Sequence, residues 1–179
     1  MKTLSEVRGL DVDTKIDDFS ATDIFDNPYT FSNALKKGKV VLIFIRGQWC
    51  PFCNKHLVKI QKGLPKIYEK GASVVVISPE KSEFIKQTIE KTGAEFTILY
   101  DKDYAIAKTF DGLFLPNNTQ RFIYNTVLGA KLKQSHSDDS EQLPVPATYI
   151  INEDFTIKWR HFNPNYINRS GVSEILNHL

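Results

Sequence analysis

Six apolar residues in a row, Val40-Val41-Leu42-Ile43-Phe44-Ile45, run into Arg46-Gly47-Gln48-Trp49-Cys50-Pro51-Phe52-Cys53, and this passage organises the rest of the chain. Four of the six are β-branched. A run so apolar, closed by Gly47, predicts a strand covered on both faces, as in parallel sheets. Helical spacing follows at once: Leu57, Ile60, Leu64, Ile67 and Tyr68 lie three or four apart, up to Gly71. Gly63 and Pro65 interrupt that stripe, so a kink or break is expected there.

The pattern repeats downstream. Ala72–Ser78 reads as a second buried strand before Pro79, and 82–91 as an amphipathic helix capped by Ser82 and stopped by Gly93. Glu95–Tyr100 is a third strand, and Tyr104–Phe110 a further helix. Strands alternating with helices indicate βαβ units and a mostly parallel sheet. Ala147–Ile151 and Phe155–Arg160 flank a turn at Asn152-Glu153-Asp154 and predict a hairpin, which makes the sheet mixed. Residues 170–179 read as a closing helix.

Other stretches are less regular. Residues 1–15 predict a helix or an arm, Asp18–Phe31 short strands and turns, and Ser32 the cap of a short helix through Leu35. Residues 114–118 read as a loop, while 122–132 has mixed helical spacing, with core packing the default for Phe122, Tyr124, Val127 and Leu128. Residues 135–141 are polar and predict a mobile loop, with His136 on the surface along with His161 and His178.

The 179 residues suit one domain, 1–179. An apolar content of 41% with 25% charged residues is that of a soluble globular protein, and a net charge of +2 gives no field that argues for nucleic acid. No run approaches the roughly 18 apolar residues of a membrane span. Met1–Arg8 lacks the apolar core of a signal peptide, so the cytoplasm is the expected compartment.

Two cysteines cannot make a disulfide scaffold, and their spacing gives them a different use. Placed three apart at the start of a helix, Cys50 and Cys53 are near enough to form a disulfide. Unpaired amides at the helix start favour a thiolate on Cys50, and Pro51 suits a position whose N–H has no partner. Structural zinc and inert thiols are the competing interpretations. His56 shares a helix face with Cys53 and could supply a third ligand, and a copper or zinc metallochaperone using Cys50, Cys53 and His56 or His136 is the non-enzymatic alternative. With no second cysteine pair, the expectation is redox chemistry without a metal or other cofactor.

Trp49-Cys50-Pro51-Phe52-Cys53 resembles the thioredoxin active-site sequence, and Val145-Pro146 before a strand resembles the Val-Pro that faces the dithiol there, with the proline cis. Asp18-Phe19, Gly38–Leu42, Val76–Glu80, Pro144–Tyr149 and Asn163–Arg169 are similar to the alkyl hydroperoxide reductase/thiol-specific antioxidant family, in its peroxiredoxin-like branch carrying a CxxC. The resemblance spans about residues 15 to 179. It implies a thioredoxin-like three-layer α/β/α sandwich with a mixed central sheet. It also implies a thiol–disulfide oxidoreductase or antioxidant enzyme, recharged by a thioredoxin- or glutathione-like thiol donor. A homodimer is compatible with it.

Two alignments nominate different nucleophiles. In the thioredoxin pattern Cys50 attacks a disulfide and Cys53 resolves. In the peroxiredoxin pattern Cys53 is oxidised by a hydroperoxide, Cys50 takes the place of the usual Thr, and Arg46 that of the usual Pro, while Pro146 falls where the later Arg would be. Arg46 and Arg169 are the candidates for the missing cation. Phe44 replaces the buried Asp of thioredoxins, leaving Glu80, His136 or water as acid–base candidates. Trp49 reads either as part of an apolar surface that docks a partner or as plain packing, and the Val145 backbone as pairing with an extended peptide.

Overall fold

The computed structural model describes residues 1–179. At its centre β3 (Val40–Phe44) runs parallel to β4 (Ser73–Ser78), from Val40↔Ser73 to Phe44↔Ile77. Beyond β4, β5 (Thr97–Tyr100) is also parallel, and β1 (Ser20–Thr22) touches β5 only at Thr22↔Tyr100 before pairing with β2 (Pro28–Thr30). On the other side β8 (Ala147–Ile151) pairs antiparallel with β3 and forms the expected hairpin with β9 (Ile157–Phe162). The strand order is β2-β1-β5-β4-β3-β8-β9. A separate pair, β6 (Leu113–Phe114) and β7 (Leu143–Pro144), leads into β8.

Because side chains alternate across a strand, β3 feeds two cores. Val41, Ile43 and Ile45 pack with Leu57, Ile60, Leu64 and Ile67 of α2 (Pro51–Glu69), Ile85 of α3 (Ser82–Thr92) and Ile175 of α7 (Val172–His178). Val40, Leu42 and Phe44 pack with Phe31 and Leu35 of α1 (Phe31–Leu35) and Ile106 and Ala107 of α4 (Ala105–Thr109). A mixed sheet between two helical layers is the three-layer α/β/α sandwich expected.

Several local expectations are corrected. Helix α2 runs unbroken through Gly63 and Pro65. Gly63 is there for closeness: a Cβ would come 2.4 Å from Val172 Cγ1, so glycine lets α7 settle against α2. Thr30 and Lys81, not Ser32 and Ser82, are the N-cap residues of α1 and α3, and neither makes a side-chain cap bond. The loop at 135–141 is pinned, since His136 is fully buried with Nδ1 3.0 Å from the Tyr104 hydroxyl, which donates to Asp138 at 3.1 Å. A polar run reads as solvated when its partners, here Tyr104 and the Asp103 amide on Ser137, are distant in sequence.

The Val145–Pro146 peptide is trans, not cis. β7 is held in its ladder with β6 and the Val145 N–H donates to Gly112 O at 2.7 Å, so the chain enters β8 already extended. That bond also occupies the N–H expected to receive a peptide.

Candidate active site

The strand–turn–helix passage sets Cys50 and Cys53 at the C-terminal end of β3. Cys50 is the N-cap of α2, with extended backbone (φ −86°, ψ 106°), and its Sγ accepts the Cys53 N–H at 3.4 Å. Pro51 follows in the first helical turn. Both thiols are free and both are completely buried.

Two guanidiniums converge on them. Arg46, 2% exposed at the end of β3, donates from Nη2 to Cys50 Sγ at 3.3 Å and from Nη1 to the Tyr124 hydroxyl at 3.2 Å. Its Cζ lies 4.1 Å from the Tyr166 ring centroid, 5.1 Å from Trp49 and 5.2 Å from Tyr124, so three aromatic faces hold the buried cation. The Arg46 N–H reaches Cys53 Sγ at 3.5 Å, as does Arg169 Nη2. Arg46 and Arg169, 123 positions apart in sequence, are thus both at the thiols.

Burial opposes charge on either sulfur. At Cys53 it is outweighed by the Cys50 thiol hydrogen bond and by Arg169 and Arg46, so Cys53 is held well below the ordinary thiol range. At Cys50 burial, with its bond to the charged neighbour, pushes the thiol well up despite Arg46. These directions favour the first negative charge on Cys53, whereas the helix start alone was expected to ionise Cys50. Each sulfur accepts one backbone amide and one guanidinium, the Cys53 N–H and Arg46 at Cys50, the Arg46 N–H and Arg169 at Cys53.

Glu80, just past β4, is also fully buried. One oxygen accepts the Gln48 N–H at 2.7 Å and Oε1 has no partner. Burial, reinforced by the Cys53 charge, raises its pKa to about 8, so it carries a proton at neutral pH. Glu80 Oε1 and the unpaired Trp49 Nε1 both crowd Gly47: a Cβ there would meet them at 2.6 and 2.7 Å, at φ +143°, so only glycine fits.

Trp49 itself is 6% exposed and packs on Tyr124 with ring centroids 5.0 Å apart, so it is an inner wall rather than a docking surface. Tyr124 comes from the π-helical turn Ile123–Val127 that follows α5 (Asn118–Phe122). That segment turns Tyr124 inward and leaves Phe122 and Val127 exposed, contrary to the core packing expected of them. A cavity of about 330 Å³ lies over Arg46, walled by Leu4, Phe114, Tyr124, Pro146 and Tyr166. A larger cleft of about 560 Å³, by Tyr29, Lys37 and Phe96, opens at the other end of the parallel strands and touches neither thiol.

His56 Nε2 lies 3.1 Å from the Ser170 carbonyl and His136 Nδ1 3.0 Å from the Tyr104 hydroxyl, and no three His, Cys, Asp or Glu side chains group to hold an ion. Val145 is buried behind Pro146. Sequence reasoning gave no role to Tyr166, although the aromatic sits in the Asn163–Arg169 stretch that also carries Arg169.

Against known proteins, the sequence pattern of the AhpC/TSA family matches residues 12–160. Thiol-disulfide oxidoreductase ResA of Bacillus thuringiensis subsp. konkukian is 28% identical over 83 residues, 46% of this chain and 48% of that protein. ResA of Bacillus anthracis is 28% identical over 75 residues, 41% and 43%. The chain thus spans about half the length of the curated relatives it matches. Among solved structures, peroxidoxin BcpB of Mycobacterium tuberculosis superposes with a TM-score of 0.73 at 17% identity, covering 94% of this chain and 96% of that one. Xylella fastidiosa PrxQ gives 0.74 at 15%, covering 95% of each. A secreted Mycobacterium tuberculosis disulfide oxidoreductase gives 0.60 at 19%, covering 89% and 92%. At these identities the likeness is one of fold. No helix is long and apolar enough to cross a membrane.

Proposed function

The chain belongs to the AhpC/TSA family, and from that premise we propose that it is a two-cysteine thiol oxidoreductase that reduces a small hydroperoxide, with Cys53 the nucleophile and Cys50 the resolving thiol. The observation that carries this is the convergence of Arg46 and Arg169 on two fully buried sulfurs, with the charge on Cys53. Burial does not separate this from the thioredoxin-like alternative, since both sulfurs are fully buried; the lowered thiol at Cys53 and the raised one at Cys50 favour Cys53 as the nucleophile.

The Cys53 thiolate attacks the outer peroxide oxygen; an S–O bond forms, the O–O bond breaks, and the alkoxide leaves as it gains a proton. Arg46 and Arg169 face the charge that develops on oxygen, the part Thr and Arg play in the peroxiredoxin pattern. Glu80, which holds a proton at neutral pH within the field of Cys53, is the proton source in this reading. The Cys50 sulfur then attacks the Cys53 sulfenic acid; the S–S bond forms, the S–O bond breaks, and water leaves with the Cys50 proton. A thiol donor restores the dithiol by exchange. Such a transient catalytic disulfide suits the cytoplasm.

A second function, exchange with a small disulfide, has the similarity to ResA in its favour. Stopped-flow tryptophan fluorescence separates the two, because Trp49 adjoins Cys50. Peroxide is expected to oxidise the reduced protein far faster than it does a free thiolate, and Cys50→Ser to stop at a sulfenic acid trapped by a 1,3-dione. Sluggish peroxide with a fast disulfide, or a trapped sulfenic acid on Cys50 in Cys53→Ser, would overturn the proposal.

A further inference from the structure

We infer that His56 is a positioning residue that keeps Arg169 against the Cys53 sulfur by pinning the Ser170 carbonyl, a role that rests on the function proposed above. His56 lies three residues beyond Cys53 on the same face of α2. Its ring is 4% exposed, and Nε2 sits 3.1 Å from Ser170 O and 3.5 Å from Ser170 Oγ. A carbonyl oxygen only accepts, so Nε2 carries a ring proton. Helix α2 thus grips the sulfur with one turn and the neighbour of its cation with the next.

Arg169 needs such a grip. Residues 163–171 contain neither helix nor strand. Arg169 Nε donates to Tyr166 O at 2.7 Å, a contact within the same loop, and the guanidinium pairs with no carboxylate. The loop is tied to the rest of the fold at Ser170, by His56 and by the Ser170 hydroxyl donating to Thr148 Oγ1 of β8 at 2.8 Å. Tyr166, which covers Arg46, rides on the same loop, so one anchor serves both guanidiniums.

Plain packing does not account for an imidazole here. Its Nδ1 is buried without a partner, a cost an apolar side chain would avoid. Burial and the nearby Arg169 bring its pKa down to about 4, with His161 and Lys59 adding to the shift, so a neutral ring tolerates the cation it positions.

The test is the thiolate absorbance of the reduced full chain, titrated with pH. The wild-type protein is expected to show one strongly acidic thiol. Loss of an opposite charge within about 4–6 Å moves a pKa by roughly one to three pH units, so Arg169→Gln sets the ceiling. His56→Asn is expected to raise the thiol pKa by about one pH unit, and His56→Gln, whose amide nitrogen reaches nearer the Nε2 position, to restore most of it. In the Arg169→Gln background His56→Asn should add nothing. A wild-type-like titration in His56→Asn, or the same rise with Arg169 already gone, overturns the inference alone. A wild-type thiol in the ordinary range overturns the proposed function and this inference together. If His56→Asn does not fold, Thr148→Val loosens the same anchor without touching an ionisable group, and an unchanged titration there counts equally against it.

Discussion

Glu80 and Asp101 occupy sister places, each just past the C-terminal end of a parallel strand, β4 and β5, and each buried. Asp101 spends both oxygens on backbone amides, Oδ1 on Ile106 N–H at 2.8 Å and Oδ2 on Ala107 N–H at 2.9 Å, and so secures the start of α4. Burial lifts its pKa to about 6 against those two bonds. Glu80 has one amide and a free oxygen, beside Trp49 Nε1 and in the field of Cys53, and its pKa rises further, to about 8. Topology offers both positions the same site at the edge of the sheet. A carboxylate whose capacity is used up is architecture; one with capacity left beside a nucleophile is available for chemistry.

The contrast breaks most visibly at the sulfurs. Cys53→Ser is expected to abolish peroxide turnover while far-UV circular dichroism stays native, and residual turnover would show that the Glu80 side is not the reacting side. Next in size, Arg169→Gln is expected to slow the reaction with peroxide about 10- to 100-fold at neutral pH, as the charge developing on the leaving oxygen loses a facing cation; raising the pH in stopped-flow traces should recover only the part due to lost thiolate.

Asp101→Ala is expected to do the opposite. It strands two buried amides, each worth about 1–3 kcal/mol, so urea unfolding should show a loss of about 2 kcal/mol or more with the rate per folded molecule kept. A lost rate at intact stability would erase the distinction. The smallest effect on stability at pH 7 belongs to Glu80→Gln, since the wild-type carboxyl is already protonated and uncharged there. Its signature is in pH dependence. A carboxyl whose pKa is about 8 in the folded protein and the ordinary 4.5 in the unfolded chain binds its proton more tightly when folded. Its contribution to stability is therefore full below pH 4.5 and is lost as pH rises to about 8. The variant should lack that decline, and any step near pH 8 in the peroxide rate should vanish with it.

Much of this was legible along the chain. The β3 run, the stripe of α2, the hairpin and the Cys50/Cys53 pair are local patterns, because a strand or helix face is written in residues a few positions apart. Pro65 misled for an equally local reason: its preference for a break yielded to the apolar stripe of α2 packed on the sheet. His136 misled because Tyr104, which helps to bury it, comes from a different part of the chain.

The amino-acid sequence by itself determined the α/β layering, the position of the dithiol at a strand–helix junction, and the absence of the usual Thr and Arg around it. Only the tertiary structure decided which sulfur holds the charge. That depends on distances between groups remote in sequence: Arg46 arrives with β3, Arg169 with a loop over a hundred residues later, Tyr124 from a π-helical turn, and Glu80 from the neighbouring strand. Electrostatic energies fall with separation in space and rise with burial, and neither quantity exists until the chain has closed around the two thiols.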